Sequence, residues 1–121
     1  MRTLSTQVRL RRLIRTFEET VERLVSEPAE VRLAPAAVAR LQDLAAGVRE
    51  AWGREAAQNR PEPSVERFAE QSLRTVELAI AGLGQRGADL GLLERDFADA
   101  ALPLELFLRG LDTQPALQRS A

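Results

Sequence analysis

Apolar residues recur along this chain at alternating steps of four and three. The first series reads Leu10, Ile14, Phe17, Val21 and Leu24, widened by Leu13 and Val25. At about 100° per residue these positions fall on one face of an α-helix. A half-buried strand needs strict alternation instead. The spacing therefore restricts the fold to helices wherever it holds. The first helix is expected to stop at Glu27, because Pro28 disfavours helical geometry in the residue before it. "PAEVRLA" then reads as a loop.

The pattern returns three more times. Pro35 suits the first turn of a second helix, where it sacrifices no hydrogen bond. Its stripe is Val38, Leu41, Ala45, Val48 and Trp52, ending near Asn59, with Gly47 weakening the helix by about 1 kcal/mol. "NRPEP" stops it. Ser64 is then a candidate N-cap and Glu66 a first-turn acid. Val65, Ala69, Ser72, Val76, Ala79 and Leu83 carry the third stripe, with Phe68, Leu73 and Ile80 beside it. Asp89 is a plausible cap for a fourth helix, whose face is Leu93, Phe97, Ala100, Leu104, Phe107 and Leu111. Pro103 lies inside that face and is expected to kink the helix or split it at Leu102. Gly110 is a natural stop. Short loops make sequential helices antiparallel neighbours. The expectation is one all-α domain over residues 1–111, an up-down-up-down four-helix bundle with its last helix kinked at Pro103. Residues 112–121 are expected to be a frayed tail.

The residue types that are absent narrow the chemistry. The 121 residues include no Cys, His, Lys or Tyr. That removes disulfides and the usual ligands of zinc, haem and copper. It also removes the common general base near neutral pH, Schiff-base lysines and the Walker lysine. No catalytic residue, metal or cofactor is expected, and the protein is read as no enzyme. No apolar run approaches the ~20 residues needed to span a bilayer. The Arg-rich N-terminus "MRTLSTQVRLRRLIR" lacks the apolar core of a secretion signal. A cytoplasmic location is expected.

Three patterns invite functional readings. "GLGQRG", Gly82 to Gly87, fits the G-x-G-x-x-G of dinucleotide-binding loops, with Glu105 near the place of a ribose-binding acid. Against this, the helical series runs from Val65 into Leu83, and no second βαβ unit follows. A helix-loop-helix turn is the reading preferred here. Charge order is the second pattern. Residues 1–15 hold five arginines and no acid, a net +5, whereas residues 16–31 hold five glutamates against Arg23, a net −4. Arg9, Arg11, Arg12 and Arg15 could form a phosphate-binding patch on nucleic acid. They also fall on the side of the helix away from its apolar stripe, as solvated residues do. Glu62, Glu66 and Glu70 are expected to neutralise them within the fold. No aromatic residues interleave the arginines for base stacking, and the whole chain carries a net charge of only −1.

The third pattern is acids sharing a helix face: Glu18 with Glu22, Glu66 with Glu70, and Asp96 with Asp99. A carboxylate Mg²⁺ site would need such pairs. Glu19–Arg23, Glu50–Arg54 and Glu70–Arg74 are spaced instead as i,i+4 ion pairs. Trp52 and Phe68 flank the central turn and are expected to pack together beneath it or to form a contact patch, core packing being the commoner fate.

The stretch from Leu44 to Leu111 resembles a bacterial family named for 5-bromo-4-chloroindolyl phosphate hydrolysis. The corresponding pieces are "LAAGVREAWGREAAQNRPEP", "SVERFAEQSLRTVELAIAGL" and "LLERDFADAALPLELFLRGLD". The likeness lies in helix order and apolar spacing. The family's Tyr-Leu-Pro is replaced by "QSLRT", and the N-terminal membrane segments common there are not seen here. The resemblance implies no hydrolase mechanism and supplies no site residues. The functional expectation is a non-catalytic interaction or scaffold protein, with a homodimer as one form. Arg9, Arg11, Arg12, Arg15, Trp52, Phe68 and Phe107 are its candidate contact residues.

Overall fold

The computed structural model describes residues 2–28, 34–83 and 90–120, with side chains over 6–28, 34–83 and 90–110. Four helices follow one another: α1 (Arg2–Val25), α2 (Pro35–Gln58), α3 (Pro63–Leu83) and α4 (Leu90–Ser120). No described residue lies in a strand. α1 packs mainly on α2, and α3 mainly on α4; α1–α4 and α2–α3 contacts close the ring. α1 and α3 therefore sit diagonally. Neighbours run antiparallel: Phe17 stacks on Phe97, while Arg11, nearer the start of α1, reaches Leu108, further along α4. This is the expected four-helix bundle.

The stripes are buried along most of their length where the spacing puts them, with Val38, Val65, Ala79 and Phe107 half-buried at their margins and the side chain of Leu111 outside the described residues. Leu10, Ile14, Phe17 and Val21 of α1 meet Leu41, Val48 and Trp52 of α2, Val76 and Ile80 of α3, and Leu93, Phe97 and Leu104 of α4 in one core. Burying each such side chain contributes about 1.5–3 kcal/mol. Two aromatic pairs tie α4 to its neighbour α1 and, across the ring, to α2. The Phe17 and Phe97 rings stack at 4.0 Å and 16°, and Phe107 meets Trp52 edge-on at 5.3 Å and 81°. Such geometries add about 0.5–1.5 kcal/mol each beyond area burial.

Helix ends follow local chemistry. α1 closes at Val25, two residues before the expected stop. The Ser26 and Glu27 amides donate back to the Arg23 and Leu24 carbonyls at 3.1 and 3.0 Å, tightening the last turn. α2 begins at Pro35 as expected, its first free carbonyl, that of Ala34, accepting from Val38 at 3.1 Å. Ser64 does not cap α3. The Glu62 carbonyl already accepts from the Glu66 amide at 2.9 Å, so Pro63 takes the first helical position. Proline's fixed φ suits that place and lets the helix start one residue earlier.

Of the kink or split expected at Pro103 the split does not occur, and the stop expected at Gly110 is corrected. The helix runs through Pro103 without dividing at Leu102, and through Gly110 to Ser120. Pro103 costs one hydrogen bond, to the Asp99 carbonyl, but its ring is buried in the packed face. Gly110 adopts no positive φ and makes no terminating turn. Residues 29–33 of the "PAEVRLA" loop, Gly84–Gly87 of the glycine motif and Asp89 lie outside the described residues.

The glycines inside α2 differ in what they face. Gly47 abuts α1, where an added Cβ would lie 3.4 Å from both Leu13 methyls, whereas Gly53 has nothing within 4 Å. Gly53→Ala should therefore stabilise the fold by about 0.5–1 kcal/mol through helix propensity alone. A rise in the thermal midpoint checks this; a fall would mean that the methyl meets an obstacle.

Candidate functional site

α4 carries exposed leucines in addition to its buried apolar face. Its inner face buries Leu93, Phe97, Leu104 and Leu108, while Leu92, Leu102 and Leu106 on its outer side are 48%, 56% and 55% exposed. Leu102 and Leu106 lie one turn apart and form a small apolar patch among the exposed charged residues Glu94, Arg95 and Asp99 of that side. Beside it, α3 turns Phe68 outward at 49% exposure. Leu102, Leu106 and Phe68 rim a groove of about 640 Å³ between the start of α3 and α4. Val65 and Phe107 line it, and Arg60 and Glu62 stand at one end. Beyond Phe68 the same seam continues into a smaller hollow lined by Asp96 and Asp99. Phe107 connects groove to core, because its other contact is the fully buried Trp52.

Trp52 and Phe68 therefore do not pack together. Trp52 points inward to Phe107, and Phe68 points out between α3 and α4. On α3, Ala69, Leu73 and Val76 occupy the core-facing arc, which leaves position 68 on its edge.

The arginines of α1 separate. Arg9 lies 3.8 Å from Glu50 on α2. Arg11 donates to the Leu108 carbonyl at 3.2 Å. Arg12 is exposed. Arg15 joins Arg11, Glu18, Glu105 and Arg109 around a polar cleft of about 330 Å³ between α1 and α4. Their acidic neighbours come from α1, α2 and α4. The expected neutralisation by Glu62, Glu66 and Glu70 does not occur, because α3 lies across the ring from α1. Glu70 instead binds Arg49 of α2.

In that cleft Glu18 is held above the ordinary glutamate value of 4.5, first by burial and then by repulsion from Glu105, with Arg15 opposing. A carboxyl whose folded pKa is raised favours the fold in acid and loses that contribution as pH rises through its folded pKa. Glu18→Gln should therefore flatten the decline in stability that sets in as pH rises past the ordinary glutamate value. Thermal midpoints across that rise in pH check it. An unchanged slope would remove Glu18 from the account.

Arg49 forms the strongest polar link. Its Nε and Nη2 reach both oxygens of Glu77 at 2.5 and 3.1 Å, and Nη1 reaches Glu70 at 2.7 Å. These bonds, Glu77's foremost, raise the guanidinium pKa further above its already high ordinary value. Water screens the partly exposed cluster, so Arg49→Ala should cost about 1 kcal/mol. Arg49→Lys should recover only part of this, lacking the planar fork. Denaturant midpoints of the two variants test the difference. Of the spaced i,i+4 pairs, Glu50 and Arg54 approach to 3.8 Å; Glu70 turns to Arg49 in place of Arg74.

Among the described residues, no cluster of three or more His, Cys, Asp or Glu could hold a metal ion. No helix among them is long and apolar enough to cross a membrane. Glu55 is a buried charged residue that the apolar spacing alone did not single out. It is 0% exposed; Oε2 accepts from Asn59 Nδ2 at 2.6 Å, while Oε1 has no hydrogen-bond partner. The signal was present: 55 is the next step after Trp52 in the four-three series, but an acid occupies it.

Compared with protein-family models, curated proteins and solved structures, the chain finds no match. The family resemblance of residues 44–111 thus rests on helix order and apolar spacing alone.

Proposed function

We propose that this is a non-catalytic, cytoplasmic interaction protein that docks through the outward face of α3 and α4. One observation carries the reading: on the side of α4 turned away from its own core, Leu102 and Leu106 are over half exposed beside Phe68. Monomeric soluble proteins rarely expose large contiguous apolar patches without a use for them. The composition supports a role without catalysis, because no nucleophilic thiol, imidazole or amine side chain exists in the chain. The arginines of α1 favour this reading over nucleic acid. Arg9 and Arg11 already have partners within the bundle, and Arg15 shares its cleft with two glutamates.

The test uses Phe68→Glu combined with Leu106→Glu, compared with the native chain by cross-linking in cells. Both side chains are about half exposed, so helical circular dichroism and the melting midpoint should barely change. Cross-linked species that contain the chain should be lost. Their persistence in a folded double variant would move the docking surface elsewhere.

A further inference from the structure

We infer that the occupant of the α3–α4 face is a second copy of this chain, related by a two-fold axis that crosses the groove near Leu102 and Leu106. The inference rests on the docking reading above and adds the identity and register of the partner.

The charges around the groove carry it. Arg60 and Glu62 mark one end of the seam. Asp96 and Asp99 mark the other, with Arg95 exposed beside them on the outer side of α4. Among the described residues, none of these five makes an ion pair within its own chain. A two-fold axis across the seam exchanges its ends. Arg60 of each copy then meets the acids of the other, and Glu62 comes level with Arg95. Opposite signs face each other at both ends without any change in the sequence. A parallel arrangement would set Asp96 and Asp99 of one copy against the same two acids of the other, which disfavours it.

The apolar middle matches the same operation. An isologous interface uses one patch twice, so its centre must complement itself. Leu102 and Leu106 stand one helical turn apart on either side of the proposed axis, so Leu102 of one copy packs against Leu106 of the other, flanked by both Phe68 rings. The patch is short, because the axis lies close to the start of α3 at Pro63, so the contact is confined to the turns around Phe68, Leu102 and Leu106. The α3–α4 pairs of two copies would form a second four-helix layer between two existing cores.

Charge exchange tests the register. The native purified chain should sediment as a dimer at about 100 μM. Arg60→Glu alone and Asp99→Arg alone should each weaken dimerisation by about tenfold or more, since each puts like charges at both ends of its own dimer. An equimolar mixture of the two variants should regain native affinity as a mixed dimer, because both end contacts are attractive again. A merely structural effect of either substitution would not be rescued by mixing. A native chain that stays monomeric at that concentration would overturn the second-copy inference. If the double Glu variant still abolished cross-links in cells, the docking face itself would stand. A dimer indifferent to both substitutions, or not restored by mixing, would overturn the two-fold register.

Discussion

Trp52→Ala should lower the free energy of unfolding by about 3–5 kcal/mol. The indole is 1% exposed and is the largest fully buried side chain in the chain. Its removal costs the transfer of that surface, the cavity left behind and the edge-on contact with Phe107. Domains of this size are stable by about 5–15 kcal/mol, so the variant should be partly unfolded at modest temperature. Trp52→Phe should retain much of the loss-sensitive packing and lie between the two. Denaturant titration followed by far-ultraviolet circular dichroism gives the difference directly. A loss under about 1 kcal/mol would contradict the packing of α2 against α4 described above.

Glu55→Met should act in the opposite direction, stabilising the fold by about 1–3 kcal/mol. A buried carboxyl oxygen without a partner carries its full desolvation penalty. Methionine has a similar length and fills the same space with no oxygen to satisfy. Asn59 would lose its acceptor, but it is only half-buried and water can replace the bond. Glu55→Ala separates the two contributions, because it removes the same oxygen and also opens a cavity, so it should be markedly less stable than Glu55→Met. Destabilisation by Met of more than about 1 kcal/mol would mean that the oxygen has a partner worth keeping.

Helix positions were largely readable in advance because burial of an amphipathic helix is written into residue spacing. Leu10, Ile14, Phe17 and Val21 need only one neighbour on one side, whichever helix supplies it. Relations between helices were harder. Nothing in the spacing of Glu70 distinguishes Arg74 on its own helix from Arg49 on the next, yet the latter's fork captures two acids at once. The diagonal placement of α1 and α3 likewise decided which acids reach Arg9. Phe68 sat at the margin of its stripe, where a small rotation of α3 separates core from surface. Glu55 was hidden for another reason. Its position obeyed the pattern, but its chemistry did not, and polarity alone made it look solvated. The exposed leucines of α4 were legible as excess leucine, although not as a groove, because the groove needs Phe68 from a different helix.

The edge-on meeting of Trp52 and Phe107 has an optical consequence. The chain holds one tryptophan and no tyrosine, so its intrinsic fluorescence reports a single place. That place is sealed from water, and its ring partner also lines the outer groove. Emission should be blue in the native state and shift red on unfolding. A molecule settling over Phe107 should alter its intensity or lifetime while the wavelength stays blue. The protein thus carries its own unlabelled probe, one ring removed from the surface where it is proposed to engage.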